Sequence, residues 1–198
     1  MDERKRALRT ELAAARARLP VDDRAARSTA IADRLHEVPG YRDAKVLAVY
    51  APLGAEVDPG ELARRAVERG VKVVYPRARQ GDRRLSFAAA QTGELVRGPL
   101  GALEPPVAAP ELPPDRIDCV IVPCLGVSRD GHRLGRGGGY YDATLPSLER
   151  ALRVGVAFEV QLVPALPREP HDAPLDAVVT EGRVLLFARP NAPGASPA

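Results

Sequence analysis

The stretch AKVLAVYAPLGAEVDPGELARRAVERGVKVVYPR, residues 44–77, decides the fold. It begins and ends with short apolar runs rich in valine, which are typical of buried strands. Between these runs, Asp58 is placed to cap a helix that has Pro59 at its first position, Glu61 three residues after the cap and Gly70 as its stop. A strand, a helix and a strand within about thirty residues predict a βαβ unit. Its two strands are expected to pair in parallel, with a right-handed crossover.

The rest of the chain supplies more elements of both kinds. Helices are predicted over 3–19 and 22–37, which Pro20 separates. Further strands are predicted at 84–89, 117–125, 153–159, 176–180 and 183–187, with a helix over 140–152 and a loop over 97–116. We therefore expect an α/β fold of three layers, in which helices flank a mainly parallel sheet and a helical pair is added at the N-terminus. Residues 1–189 are expected to form one domain, and 190–198 a disordered tail.

Composition limits the classes of function. The formal net charge is +3 over 198 residues, and the first twenty residues supply it with six basic side chains against three acidic ones. The remainder is neutral and aromatic residues make up only 4%, so we expect no nucleic-acid partner.

Cys119 and Cys124 have no further cysteines with which to form a zinc site or a disulfide framework, so both are predicted to be free thiols. No apolar run approaches the roughly 20 residues of a membrane span. We expect a cytoplasmic protein with no membrane partner, as a monomer or a weak dimer.

One segment, RLGRGGGYYD at Arg133–Asp142, concentrates glycine and charge directly after a predicted strand. Consecutive glycines expose a row of backbone N–H donors that can cradle phosphate oxygens, and the flanking arginines add full positive charges. A flexible loop or a tight turn is the alternative for such a run. The segment is neither a P-loop nor a dinucleotide fingerprint, because no GxxxxGK[ST] is present and Tyr140 stands where the fingerprint needs its last glycine.

Polar residues that follow other predicted strands are expected to meet this segment. Glu56, Arg77 and Gln161 each come after a strand, and ligands of open α/β sheets bind beyond the carboxyl ends of the strands. Asp142 would repel a phosphate unless a cation lay between them, which favours Mg²⁺. Asp172 is a candidate second carboxylate, and a cap or turn residue is the alternative for both.

Two cations of the first predicted helix point the same way. Lys5 and Arg9 are four residues apart and therefore share a helix face, about 60° from the apolar stripe. Cations at this border between core and water can lean over the domain toward an anion. A solvated rim is the alternative.

Taken together, these motifs resemble the 5-formyltetrahydrofolate cyclo-ligase family. The matching pieces arrive in the family's order: KRALRTEL, YAPLGAEVDP, VVYPR, VPCLGVSRDGHRLGRGGGYYD, GVAFEVQLV and EPHDAPLDAVVTE. The resemblance implies a cyclo-ligase fold, similar to those of ribose-phosphate isomerases and CoA-transferases. It also implies an enzyme that uses ATP and Mg²⁺ to convert 5-formyltetrahydrofolate into 5,10-methenyltetrahydrofolate, with release of ADP and phosphate.

The resemblance further implies roles for single residues. The implied ATP-binding residues are Lys5, Arg9, Arg77, Arg133, Leu134, Gly135, Arg136, Gly137, Gly138, Gly139, Tyr140 and Tyr141. Ala51, Glu56 and Tyr141 are implied to contact the folate, and Asp142 and Asp172 to hold Mg²⁺. No residue is implied as a catalytic nucleophile. Leu100 departs from the family, because many relatives carry an aromatic residue near this loop.

Two other functions remain open on the sequence. One is a non-catalytic binding module with the same fold, with RNA as a candidate ligand. The other is an enzyme resembling sugar-phosphate isomerases or CoA-transferases, which would need no ATP.

Overall fold

The computed structural model describes residues 3–79, 81–169 and 172–187. The α-helices are α1 (Glu3–Ala17), α2 (Val21–Arg34), α3 (Gly60–Glu68) and α4 (Tyr140–Thr144). The strands are β1 (Val46–Ala48), β2 (Lys72–Arg77), β3 (Ser86–Ala89), β4 (Val96–Arg97), β5 (Leu103–Glu104), β6 (Glu111–Leu112), β7 (Cys119–Pro123), β8 (Gly126–Ser128), β9 (Arg133–Leu134), β10 (Leu152–Val156), β11 (Leu162–Val163), β12 (Ala177–Val179) and β13 (Val184–Leu186). Short 3₁₀ helices lie at Leu35–Glu37, Tyr41–Asp43, Thr92–Glu94, Pro114–Arg116, Leu145–Ser147 and Glu159–Gln161. The predicted tail, 190–198, lies outside the described residues.

Eight strands form the central sheet, in the order β13-β12-β10-β7-β1-β2-β3-β6. The five inner strands, from β12 to β2, all run parallel to their neighbours. Both margins are antiparallel, with β13 against β12 on one side and β3 and β6 on the other. The predicted βαβ unit is present, because β1 and β2 pair in parallel and α3 connects them. The predicted α/β class with a mainly parallel sheet is confirmed.

Both faces of this sheet are covered by apolar clusters. Ile31 of α2 and Leu62 of α3 pack with Leu47 of β1 on one face. Phe87 and Leu148 belong to the cluster on the other. Successive side chains of a strand point to opposite faces, so a strand covered on both sides reads as a continuous apolar run. This explains why the central strands could be recognised in the sequence.

A smaller sheet places the N-terminal helix over the carboxyl ends of the central strands. The order of this sheet is β11-β8-β9. Leu12 of α1 packs with Leu125 and Leu134 of this region and with Leu166. A Cβ added at Gly126 would lie only 2.5 Å from Leu12 Cδ1, so the absence of a side chain allows the close approach of helix and strand.

The structure corrects the predicted helix over 140–152. Only α4 forms, and the chain continues as the 3₁₀ helix Leu145–Ser147 before Leu148 turns to a ψ of 54°. Pro146 lacks a backbone N–H and its ring crowds the preceding turn, which ends a regular helix here.

The start of α3 also differs from the prediction. The helix begins at Gly60 with Pro59 in the cap position. Asp58 still accepts a 2.8 Å hydrogen bond from the Gly60 amide, one residue outside its predicted place. Glu61 does not reach back to complete a capping box, because Arg64 and Arg65 hold its carboxylate.

Other predicted elements need smaller changes. The loop predicted over 97–116 contains the β4–β5 hairpin, which starts one residue earlier, and the short edge strand β6. Within the described residues, no helix is both long enough and apolar enough to cross a membrane.

Candidate active site

A cavity of about 560 Å³ opens at the carboxyl ends of the central strands. Ala51 follows β1, Ala78 follows β2 and Leu125 follows β7, and all three line its wall. This is the edge at which open α/β sheets bind ligands. The whole glycine segment from Arg133 to Asp142 borders the same space.

The glycine segment owes its shape to left-handed backbone. Gly137 has a φ of +105° and Gly139 a φ of +71°, values that residues with a side chain rarely adopt. A Cβ at Gly137 would also lie 3.4 Å from the guanidinium carbon of Arg9. Arg9 holds the segment from α1, because its Nε donates a 3.0 Å hydrogen bond to the Gly135 carbonyl. The bare backbone therefore faces the cavity with a fixed arginine beside it.

Ion pairs occupy both carboxylates that were predicted to hold Mg²⁺. Lys5 is only 4% exposed, and its Nζ lies 2.9 Å from Asp172 and 2.6 Å from Glu169. Desolvation opposes the charge of Lys5, but its hydrogen bonds to the two carboxylates raise its pKa above the ordinary value. Arg133 donates two hydrogen bonds, of 2.9 and 2.8 Å, to Asp142 Oδ1.

Glu56 lies in another part of the cavity wall. It is 8% exposed, and its Oε2 accepts a 2.9 Å hydrogen bond from the Leu53 amide. Its Oε1 lies 3.4 Å from the guanidinium of Arg136. Ala51 and Tyr141 line the same cavity. The structure thus brings the three residues predicted to contact folate into one cavity with the glycine segment.

Tyr50 is an aromatic wall residue that the sequence analysis missed. Its hydroxyl donates a 2.7 Å hydrogen bond to the Val57 carbonyl, and the residue lines the cavity. Burial raises the pKa of Tyr50 well above its usual value, and burial likewise raises the pKa of Tyr141. Both rings therefore remain neutral at physiological pH. Tyr50 could have been found, because it lies at the carboxyl end of the first predicted strand.

Arg77 does not join the predicted ATP-binding residues. Its guanidinium donates hydrogen bonds to the carbonyls of Pro106 and Val107, at 2.8 and 3.0 Å, and pairs with Glu111. Its neighbours Pro76 and Ala78 line the cavity. Alternate residues of a strand face opposite sides, so Arg77 at the end of β2 points away from the site.

Gln161, the other polar residue expected at this edge, has a structural role. Its amide nitrogen donates hydrogen bonds to the carbonyls of Cys124 and Leu125, and its oxygen accepts one from the Phe158 amide. It is fully buried and holds two strand ends together.

Two loops supply wall residues that no sequence motif marked. The β4–β5 region contributes Leu100, Leu103 and Glu104, and the loop between β2 and β3 contributes Arg83 and Leu85. These loops are brought to the cavity by tertiary packing alone. Leu100, the departure from the family pattern, lies in the wall and is 45% exposed.

The chemistry available in the cavity is binding and charge neutralisation. Burial raises the pKa of the Cys124 thiol to about 12, so this residue stays protonated and inert. Among the described residues, no group of three or more His, Cys, Asp or Glu side chains is arranged to hold a metal ion. The site thus offers glycine amides, cations, three aromatic rings and carboxylates.

Comparisons with known proteins agree with this geometry. The model of the 5-formyltetrahydrofolate cyclo-ligase family matches residues 1–181. The chain is 34% identical over 153 residues to the 5-formyltetrahydrofolate cyclo-ligase of Mycolicibacterium smegmatis, covering 73% of this chain and 78% of the relative. It is also 34% identical over 158 residues to the enzyme of that name from Escherichia coli, covering 77% and 87% respectively.

A solved structure extends the comparison to the fold. The NMR structure of 5,10-methenyltetrahydrofolate synthetase from Aquifex aeolicus superposes with a TM-score of 0.81 at 30% sequence identity, and the match covers 93% of each chain. The resemblance inferred from the motifs is confirmed. With a family model that spans nearly the whole chain and a ligase of matching fold, this protein belongs to the 5-formyltetrahydrofolate cyclo-ligase family.

Proposed function

We propose that this chain uses MgATP to convert 5-formyltetrahydrofolate into 5,10-methenyltetrahydrofolate, ADP and phosphate. The observation that carries the proposal is a single cavity that combines a phosphate-type cradle with a buried carboxylate and aromatic walls.

The cavity divides into two ends with different chemistry. At one end, the glycine segment, Lys5, Arg9 and Arg133 provide N–H donors and cations for the phosphates of ATP. At the other, Glu56 accepts hydrogen bonds from the N–H groups of the pterin, and Tyr141 offers a flat face for its ring. Arg136 is placed between these ends, because it belongs to the glycine segment and contacts Glu56. Arg77 is not part of this proposed set.

The reaction explains why such a site needs no nucleophilic side chain. A formamide is a poor electrophile, and closing the ring onto N10 requires the loss of its oxygen, which is a poor leaving group. The formyl oxygen attacks the γ-phosphorus of ATP, and the bond from that phosphorus to the bridging oxygen of ADP breaks. N10 then adds to the formyl carbon and gives up its proton, and the C–O bond breaks as phosphate leaves with the electron pair. Phosphoryl transfer of this kind depends mainly on positioning and on neutralising charge.

The residues present fit a Mg²⁺ ion that arrives with the nucleotide. Mg²⁺ is usually held by one or two carboxylates together with phosphate oxygens and water, so a cluster of three protein ligands is not required. Asp142 and Asp172 both line the cavity and would hold the ion. When bound, it would neutralise charge on the phosphates.

The direct test is the absorbance of methenyltetrahydrofolate when purified protein is mixed with 5-formyltetrahydrofolate, ATP and Mg²⁺. Growth of the signal only in the complete mixture supports the ligase. ATP binding without product would point to another acceptor, and absence of both would favour a non-catalytic binding module. Turnover of a sugar phosphate or an acyl-CoA without ATP would support the isomerase- or CoA-transferase-like enzyme instead.

Two arginines of α1 provide a matched pair for the phosphate end. Arg9 contacts the glycine segment, whereas Arg6 lies outside the cavity and its side chain is 73% exposed. Arg9→Ala is expected to raise the KM for ATP about tenfold, since a hydrogen bond to a charged group contributes at least about 1.5 kcal/mol. Arg6→Ala is expected to leave it unchanged. Equal kinetics for the two variants would contradict the assigned position of the phosphates.

A further inference from the structure

Most of the charges around the cavity are paired with one another. Five basic and five acidic residues line it, namely Lys5, Arg9, Arg83, Arg133 and Arg136, and Glu56, Glu104, Asp142, Glu169 and Asp172. Lys5, Arg133 and Arg136 each contact a carboxylate of the wall. Within the described part of the chain, Arg9 and Arg83 form no such ion pair. These two cations can bind an incoming anion without first giving up a carboxylate.

Both unpaired arginines lie beside the glycine segment, but they come from different elements. Arg9 reaches Gly137 from α1. Arg83 comes from the loop between β2 and β3, and a Cβ placed on Gly139 would lie 4.0 Å from its Nη1. The two guanidinium groups therefore mark two points along the same phosphate-type backbone.

The loop that carries Arg83 is fixed to the glycine segment by hydrogen bonds. The Arg84 amide donates a 2.8 Å bond to the Asp82 carboxylate, which forms a tight turn. The next amide, that of Leu85, donates a 2.8 Å bond to the hydroxyl of Thr144 in α4. That hydroxyl in turn donates a 2.6 Å bond to the carbonyl of Tyr140, directly after the glycines. This chain of bonds anchors the base of the Arg83 side chain to the helix that follows the cradle.

We propose that Arg83 is a phosphate-binding residue of the nucleotide site, acting together with Arg9 across the glycine segment. The inference rests on the proposed function and adds a residue outside the family motifs described above. A guanidinium can donate two parallel N–H bonds to phosphate oxygens, which gives direction as well as charge. Arg83 is exposed and forms no ion pair with any other described residue, so its contribution belongs to the bound nucleotide and not to folding.

Arg84 provides a matched control on the same loop. It is adjacent in sequence and exposed, it does not line the cavity, and its Nε lies 3.6 Å from Asp82. Steady-state kinetics of Arg83→Ala and Arg84→Ala should be measured with each substrate varied in turn. Binding of ATP and of adenosine should be measured by calorimetry.

Arg83→Ala is expected to raise the KM and the Kd for ATP about tenfold, the loss of one charge-assisted hydrogen bond. Its affinity for adenosine, its KM for 5-formyltetrahydrofolate and its Tm should match those of the unsubstituted protein. Arg84→Ala should match it in every measurement, and Arg83→Lys should recover part of the lost ATP affinity.

Four results would overturn the inference. Equal ATP kinetics for Arg83→Ala and Arg84→Ala would show that Arg83 contacts no phosphate. A rise in the KM for 5-formyltetrahydrofolate alone would assign Arg83 to the carboxylates of that substrate, and equal loss of ATP and adenosine affinity would assign it to the nucleoside. If the unsubstituted protein neither bound nor consumed ATP, the proposed function itself would be refuted, and with it the phosphate-binding role of Arg83.

Discussion

Replacing Glu56 by glutamine tests the folate end of the cavity separately from the nucleotide end. The substitution keeps the shape of the side chain and removes its charge. Because the carboxylate is 8% exposed and bonded to the Leu53 amide through Oε2, the amide oxygen of glutamine can preserve that bond. The other oxygen, Oε1, is the one that a pterin N–H would reach. Glu56→Gln should therefore affect folate binding and leave the fold and the nucleotide site intact.

The size of the effect follows from two opposing contributions. A hydrogen bond from the pterin to a charged acceptor contributes about 1.5–3 kcal/mol. In the unsubstituted protein, the substrate must first displace Arg136 from Glu56. The two groups are 3.4 Å apart, and the Arg136 side chain is 57% exposed. Because solvent screens such an ion pair, breaking it costs about 0.2–1 kcal/mol, and the substrate does not have to meet this cost in the glutamine variant. The difference is about 1–2 kcal/mol, so the KM for 5-formyltetrahydrofolate should rise about 5- to 30-fold.

The assay is the initial rate of methenyltetrahydrofolate formation, with each substrate varied at saturating concentrations of the other. Glu68→Gln on the exposed side of α3 is the control, since this carboxylate pairs with Arg64 and lies outside the cavity. It should leave both KM values unchanged. A raised KM for ATP with an unchanged KM for folate would refute the assignment of Glu56 to the pterin end. Unchanged values for both substrates would remove it from the binding site.

Two further predictions concern the metal and the buried cysteine and tyrosine. Asp142→Asn should shift the Mg²⁺ dependence of turnover to higher concentration, and Tm should also fall because the variant removes the carboxylate that pairs with the buried Arg133. An identical Mg²⁺ titration would remove Asp142 from the metal site. The free energy of unfolding should fall as pH rises above about 8.5. Burial raises the pKa of Cys124 to about 12 and the pKa of Tyr50 well above its usual value. The unfolded chain therefore releases these protons at a lower pH than the folded chain does, which favours unfolding. Urea unfolding at neutral and alkaline pH tests this, and stability that stays constant or rises would contradict it.

The central fold could be predicted because each of its signals is local. The βαβ unit follows from two apolar runs and from the residues that begin and end α3. The helix predicted over 140–152 is wrong because Pro146 ends helical structure soon after α4. The two-residue strands β4, β5 and β6 have no apolar run of their own. Their pairing depends on where the rest of the chain places them.

The site could be predicted only where a motif or a strand end marked the residue. Lys5 and Arg9 were found because helical periodicity places them on one face, and Glu56 because it follows a strand. Arg77 was expected at the site because it follows a strand, but strand alternation puts Pro76 and Ala78 on the cavity side and Arg77 on the other. Arg83 carried no signal, since its position beside Gly139 depends on a loop that is anchored by Thr144.

The pairing of charges explains how carboxylates can lie beside a phosphate cradle. Asp142 and Asp172 would repel ATP if they stood alone, but each is neutralised by a cation, Arg133 or Lys5. If the phosphates draw Lys5 toward them, Asp172, whose side chain is only 14% exposed, loses that counter-charge. Negative charge beside phosphate oxygens is repulsive, so the exchange is favourable only when another cation enters with the nucleotide. On this argument the cavity selects the magnesium complex of ATP over free ATP, with Arg9 and Arg83 free to meet the phosphates first.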